Sequence, residues 1–113
     1  MRYALLVAID ENVELTEADA QRQYAEFMGF QDEMQARGVL LARERLQPTS
    51  SSTTVRVRDE GLVVADGPFA ETKEQIAGFY IIECEDLDEA IEIASRNPGA
   101  RSGTIEVRPV WEI

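Results

Sequence analysis

Two stretches of the chain carry apolar side chains in both of their alternate sets. They are residues 2–9 and residues 79–84. A strand with one face in water alternates between apolar and polar positions, whereas a strand covered on both faces is apolar throughout. The pattern therefore predicts two central strands of a sheet, and we expect both of their faces to be buried.

Two further stretches have the spacing of helices. In residues 17–37 apolar side chains recur every three or four positions, Thr16 begins a capping-box pattern, and Gly38 is well placed to end the last turn. A second helix is predicted after Asp86, where early carboxylates suit the positive end of the helix dipole. The Asn-Pro-Gly sequence at 97–99 is expected to stop it.

The remaining elements are shorter strands. Residues 39–46 and 104–110 read as single strands, and residues 54–58 and 62–65 form a hairpin around a turn at 59–61. The resulting order is β-α-β, a hairpin, then β-α-β. This order predicts an α+β fold, namely a ferredoxin-like βαββαβ arrangement with an inserted β-hairpin, in one domain spanning residues 1–113.

Two helices can cover only one face of such a sheet. Both central strands are nevertheless apolar on both faces, which would leave a large apolar patch in water. A second copy of the sheet is the natural cover. We therefore expect a homodimer or a higher homo-oligomer.

Charge and composition exclude several classes of function. The chain has 22 acidic and 11 basic residues and a formal net charge of −11, which disfavours nucleic acid and membrane surfaces as partners. It has no histidine and one cysteine, Cys84, in a strand-like run where a buried small hydrophobe is expected. We expect no metal, no cofactor and a cytoplasmic location. Trp111 is expected to bury its ring.

The segment 66–74 concentrates the chemistry of the chain. Its Asp-Gly-Pro start forces a turn, and two carboxylates, a hydroxyl and an amine follow directly before a buried strand. A small polar ligand is one interpretation. The plainer one is that Asp66 accepts turn hydrogen bonds, Phe69 packs and Lys73 pairs with a neighbouring glutamate. The candidate ligand-binding residues are Asp66, Gly67, Pro68, Phe69, Glu71, Thr72, Lys73 and Glu74, together with Tyr24 on the apolar stripe of the first helix.

Two pairs of arginines add a second possibility. Arg43 and Arg45 share one face of a strand, and Arg56 and Arg58 share one face of the hairpin. Guanidinium groups grip carboxylates in bidentate fashion, so either pair could hold an anionic ligand. With 22 acidic residues available, we favour internal ion pairing for all four.

The chain resembles the YCII-related superfamily, in the branch named for its DGPF motif. The resemblance runs nearly end to end, through residues 2–6, 38–40, 46–48, 54–58, the DGPFAETKEQ run at 66–75, 78–80, 86–90 and 105–110. It implies a dimeric α+β barrel in which two ferredoxin-like sheets face each other. Other branches carry a His-Asp pair proposed for catalysis, which cannot operate in a chain without histidine. The resemblance also implies a possible link to extracytoplasmic-function sigma factors.

Two functions from different classes remain. The first is a protein that binds or senses a small polar ligand in a cleft bordered by the motif. The second is a small enzyme of lyase, isomerase or cofactor-free oxygenase type acting on a carbonyl or carboxylate compound, with Asp66, Glu71 or Glu74 as general base and Lys73 as electrostatic partner or nucleophile. We favour binding, because the sequence offers no catalytic base with a demonstrably tuned environment.

Overall fold

The computed structural model describes residues 1–112 and contains the expected order of elements. The two long helices and the six strands are all present, and two short helical turns are added. The elements are β1 (Arg2–Ile9), α1 (Glu17–Ala36), β2 (Leu40–Arg45), a 3₁₀ turn (Thr49–Ser51), β3 (Thr53–Arg58), β4 (Gly61–Asp66), β5 (Gln75–Glu83), α2 (Leu87–Ser95), α3 (Gly99–Ser102) and β6 (Thr104–Pro109).

The main sheet has four antiparallel strands in the order β2-β5-β1-β6. Strands β1 and β5 lie at its centre, where Leu5 pairs with Tyr80, and β6 joins β1 through Leu5 and Val107. This order, with both long helices packed on one face, is the ferredoxin-like fold predicted from the sequence. The prediction of two central strands is confirmed.

The core lies between that face of the sheet and the two helices. Burial alternates along β1, so that Tyr3, Leu5 and Val7 are buried while Ala4, Leu6 and Ala8 on the other face are only half-buried. Cys84 is buried as expected, and burial raises the pKa of its thiol. The buried apolar side chains are Tyr3, Leu5, Val7, Phe30, Met34, Tyr80, Ile82, Cys84, Ala90, Ile93 and Ala94.

Both long helices begin at the residues that the sequence indicated. The Thr16 hydroxyl accepts a hydrogen bond from the Asp19 N–H at 3.0 Å, and the Asp86 carboxylate accepts one from the Glu89 N–H at 2.9 Å. These caps satisfy N–H groups that have no partner inside the helix. Gly38, with a φ of 73°, follows the end of α1 as predicted.

Three expectations need correction. Strand β5 begins at Gln75 and not at residue 79, because backbone pairing with Ile9 and Ala8 holds residues 75 and 76, which carry no strand-like pattern. The sequence at 97–99 ends α2 but also starts the short helix α3. The Trp111 ring is 84% exposed and not buried. An ion pair between Arg2 and Glu112 holds the terminal segment beside the sheet, and the chain has left the sheet after β6, so the indole faces water.

Strands β3 and β4 form a separate two-stranded sheet, which we call the arm (residues 53–66). Its turn is made possible by Gly61, with a φ of 110°. The radius of gyration of the chain is 16.0 Å, against about 13 Å for a compact domain of this size. The extents of 49, 44 and 18 Å describe a thin slab. The arm therefore extends the molecule without thickening it.

No helix among residues 1–112 combines the length and the apolarity needed to cross a bilayer.

Candidate ligand-binding cleft

A cleft of about 320 Å³ lies between α1 and the sheet, at the β2 edge. Its apolar walls come from β1 and from α1, through Val7, Ile9, Phe27 and Met28. Ligand sites in proteins are mostly apolar concavities with a few polar groups, and this volume is at the small end of their range. The cleft can hold a small molecule.

The cleft exists because α1 contacts the core through only part of its length. Phe30 and Met34, in the second half of the helix, are buried against the sheet. Ala20 and Tyr24, on the same stripe in the first half, are exposed and border the cleft. The apolar stripe that predicts a core-facing helix is thus divided between core and cleft.

Arg43 and Arg45 supply the positive charge of the cleft. Both lie on the helix face of β2, where they pair in register with Tyr80 and Gly78, and both border the cleft. Within residues 1–112 neither guanidinium has a carboxylate oxygen within 4.0 Å. The internal pairing that we favoured for them is therefore wrong for the described chain. The carboxylate between them, Glu44, pairs with Phe79 in the register and so points to the opposite face.

Gly78 lies at the floor of the cleft and allows β2 to lie close to β5. A Cβ placed on this residue would lie 2.8 Å from the backbone oxygen of Glu44. Any other residue would push β2 away from β5, because real side chains do not tolerate that approach. Gly78 thus fixes the spacing of the two strands that carry Arg45 and Tyr80.

Tyr80 forms the inner end of the cleft. Burial raises the pKa of its phenol, while the Asn97 side chain and the Arg43 charge act in the opposite direction. Asn97 is fully buried; its Oδ1 accepts a hydrogen bond from the Gly99 N–H at 2.8 Å, and its Nδ2, although close enough to influence the Tyr80 phenol, meets no acceptor in hydrogen-bond geometry within the described chain. The inner end of the cleft is therefore next to polar groups with spare hydrogen-bonding capacity.

A second depression, of about 310 Å³, lies on the other side of α1 against α3. Its charged residues already pair with one another, Arg22 with Asp19 and Arg101 with Glu26. A ligand there would have to compete with these pairs. The cleft that contains Arg43 and Arg45 is therefore the better candidate.

The segment 66–74 lies outside both depressions. Gly67, with a φ of 102°, donates its N–H to the Ser52 carbonyl at 2.8 Å. The Glu74 carboxylate accepts a hydrogen bond from the Thr104 hydroxyl at 2.7 Å. These contacts anchor the loop between the arm and the main sheet. Pro68 and Glu74 are half-buried, whereas Asp66, Glu71, Thr72 and Lys73 are exposed.

Two plain interpretations of this segment do not match its contacts. Phe69 is 84% exposed, so it does not pack within the described chain. Lys73 has no carboxylate oxygen within 4.0 Å in residues 1–112, so it is not ion-paired there. A ligand-binding role for residues 66–74 stays a prediction.

Of the nine candidate residues, Tyr24 is the one that borders the cleft. Tyr80, Phe27 and Gln31 were not among the candidates, although they border it as well. A tyrosine in the buried alternation of β5 was the available signal for Tyr80, because a buried hydroxyl needs a partner.

The chain belongs to the YCII-related domain family, which matches residues 1–113. It is also similar to an uncharacterised protein of Rhizobium meliloti (strain 1021), with 39% identity over 114 residues that cover 97% of this chain and 92% of the relative. The two proteins are thus alike over nearly their full lengths.

Proposed function

We propose that this protein binds a small organic anion in the cleft between α1 and the sheet. The carboxylate of the ligand pairs with Arg43 and Arg45, and its apolar body lies against Phe27 and Met28. The observation that carries the proposal is the presence of two arginines without carboxylate partners, within the described chain, at an apolar cleft.

The charge of the chain supports this assignment. A protein with a net charge of −11 has carboxylates to spare, and six of its other eight guanidinium groups, at positions 2, 22, 37, 96, 101 and 108, are paired, whereas Arg56 and Arg58 on the arm have no carboxylate oxygen within 4.0 Å in residues 1–112. Arg43 and Arg45 are exposed beside an apolar wall, so both guanidinium groups are free to pair with an anion that enters the cleft. The negative field of the whole chain also favours a small monoanion over a polyanion.

Binding is supported over catalysis by the position of the carboxylates. A general base has to face the ligand. Glu44, the carboxylate that borders the cleft, belongs to the opposite face of β2 from the two arginines. A sensing role linked to a sigma factor, which the resemblance to the DGPF branch implies, is part of this proposal, and it requires that ligand occupancy change the surface formed by α1.

The motif contributes to the proposed site through β5. Residues 66–74 connect the arm to Gln75, the first residue of the strand that supplies Gly78 and Tyr80. The hydrogen bond from Thr104 to Glu74 fixes that junction against β6. In this proposal the loop sets the position of the cleft floor, and direct contact with the ligand is a separate prediction tested below.

Thermal unfolding with matched probes tests the proposal. Benzoate and hexanoate should raise the Tm, because a ligand that binds the native state stabilises it, whereas benzamide and hexanamide should raise it much less. R43A/R45A should remove the response to the carboxylates. R56A/R58A, which removes the same charge from the arm, is the control and should keep it. The absence of any rise, or an equal loss in both double variants, contradicts the proposal.

A further inference from the structure

The inner end of the cleft carries two buried polar side chains. Gln31 and Tyr80 border the cleft, and their exposed fractions are only 8% and 9%. Neither the Gln31 amide nor the Tyr80 hydroxyl has a partner in hydrogen-bond geometry within residues 1–112. Buried polar groups in proteins are nearly always hydrogen-bonded, because an unpaired group loses its hydration without replacement. Both groups are therefore available to a ligand.

The polar atoms of both side chains open onto the cleft. The Nδ2 of Asn97 is enclosed and has no partner within the described chain, whereas the polar atoms of Gln31 and Tyr80 are not enclosed in this way. Gln31 lies one turn beyond Phe27 and Met28 on the cleft side of α1. The apolar wall of the cleft thus ends in an amide and a phenol.

Asn97 sets the direction in which the Tyr80 hydroxyl donates. The Gly99 N–H can only donate, so the Asn97 atom that faces it at 2.8 Å is Oδ1, and Nδ2 points away from it. Burial raises the pKa of the Tyr80 phenol, and the Asn97 side chain opposes this rise, as an N–H beside the phenol oxygen does. With a donor on that side, the phenol proton is turned toward the cleft.

We propose that the ligand of this cleft is a monocarboxylate with a carbonyl oxygen at the far end of its apolar body. The carboxylate pairs with Arg43 and Arg45 at the β2 edge. The carbonyl oxygen accepts hydrogen bonds from the Tyr80 hydroxyl and the Gln31 amide. This inference rests on the proposed binding of an organic anion, and it adds the group for which the inner end of the cleft is selective.

A neutral oxygen fits the inner end better than a second carboxylate. Among the described residues that border the cleft, Arg43 and Arg45 are the two cations, and both are exposed on the edge strand β2. A carboxylate beside Tyr80 would be buried without a counter-ion, at a large cost in solvation. A carbonyl oxygen has two lone pairs, so it accepts one hydrogen bond from a phenol and one from an amide.

Two probes of nearly the same shape test the inference. Para-acetylbenzoate and para-isopropylbenzoate share the carboxylate and the ring, and they differ in a carbonyl oxygen against a methyl group. By calorimetric titration the wild-type protein should bind para-acetylbenzoate about tenfold more tightly, because the isopropyl group displaces hydration from Tyr80 and Gln31 without replacing its hydrogen bonds. Terephthalate, with a carboxylate in place of the acetyl group, should bind more weakly than para-acetylbenzoate.

Two pairs of matched variants locate the origin of this preference. Tyr80→Phe and Gln31→Met each remove one polar group at the inner end and keep the size of the side chain, so each should reduce the preference about threefold. Tyr24→Phe and Gln23→Met make the same changes in the first half of α1, where both side chains also border the cleft. These two variants should keep the preference, whatever they do to the affinity for either probe.

The outcomes separate this inference from the proposal on which it rests. If R43A/R45A abolishes the binding of both probes but the wild-type protein does not prefer the acetyl group, the anion site stands and the carbonyl is overturned. An equal loss of preference in the inner and the outer variants also overturns it. If neither probe binds, the anion proposal fails and this inference fails with it. The wild-type comparison needs no variant, so it decides even if Tyr80→Phe does not fold.

Discussion

The ring of Phe30 meets the ring of Tyr80 edge to face, with centroids 5.1 Å apart and an interplanar angle of 77°. Aromatic pairs prefer this geometry because the positive edge of one ring faces the negative surface of the other. The contact joins the anchored half of α1 to the strand that forms the inner end of the cleft. The core and the candidate site therefore share a side chain, Tyr80.

Removal of the Phe30 ring should destabilise the fold strongly. Phe30→Ala is expected to lower the free energy of unfolding by about 3–5 kcal/mol, the usual cost of deleting a buried aromatic ring. Phe27→Ala, three residues earlier on the cleft side of the helix, should cost well under half of that because its ring is only half-buried. Urea unfolding of both variants measures the difference, and equal losses would show that the first half of α1 is also part of the core.

Alkaline pH should destabilise the protein because it ionises two buried groups, the Tyr80 phenol and the Cys84 thiol. Burial raises the pKa of Tyr80 and of Cys84 in the folded state. The neutral forms therefore contribute stability that is intact below the unfolded pKa, about 8.5 for a thiol and about 10 for a phenol, and that is lost as the pH rises through the folded pKa.

The urea midpoint, measured from neutral to alkaline pH, reports this loss. Tyr80→Phe should flatten the decline above about pH 10, because its ring cannot ionise. Tyr24→Phe is the control, since that side chain is 58% exposed, and it should follow the wild-type curve. A decline of the same steepness in Tyr80→Phe would contradict the role of the buried phenol.

Two glycines should respond to alanine in opposite ways. Gly29 lies in the middle of α1, and a Cβ there would have open space around it. Gly29→Ala should therefore stabilise the protein by about 0.5–1 kcal/mol through helix propensity. At Gly103 a Cβ would lie 2.1 Å from the backbone oxygen of Ala8. Gly103→Ala should cost about 1–3 kcal/mol or more, because β6 must move. Calorimetry of both variants measures the change in stability. A stabilising Gly103→Ala would show that β6 can move away from β1 at little cost.

Acylation can decide whether the motif contacts the ligand. Lys73 is the sole lysine of the chain, so it and the N-terminal amine are the two groups that label. Since Lys73 is exposed, we expect labelling at the rate of a free surface amine in the absence of ligand. A role for the motif in ligand contact requires that a carboxylate probe which raises the Tm also slow this labelling, read by mass spectrometry. Unchanged labelling with the probe bound would confine the site to the cleft.

The sequence predicted the fold well where a pattern reports local structure. The two-sided apolar runs identified β1 and most of β5, the Thr16 cap identified the start of α1, and the alternation at residues 54–58 identified the arm. The start of β5 was missed because Gln75 owes its conformation to pairing with Ile9 and not to its own preference. Trp111 was misplaced because hydrophobicity gives no information about where a chain leaves its sheet.

The cleft was not predictable in the same way. Periodicity shows which side of α1 is apolar, but not how far Tyr24 stands from the sheet. The cleft also joins Arg43 on β2, Tyr80 on β5 and the first half of α1, which are far apart in sequence and meet only in the fold. Whether an arginine forms an ion pair also depends on distances that only the folded chain sets. Composition favoured internal partners for Arg43 and Arg45, and the described chain provides none.

Helix α1 is attached to the core at one end, so the two ends of the cleft wall are held differently. Phe30 and Met34 are buried against the sheet, so the core holds the wall near Tyr80, whereas the wall near Tyr24 is exposed and has no such contact with the core. The cleft would then be selective for the shape of the part of a ligand that reaches Tyr80. It would tolerate more variation in the part that remains near Tyr24. Selectivity would thus be graded along the length of a single helix.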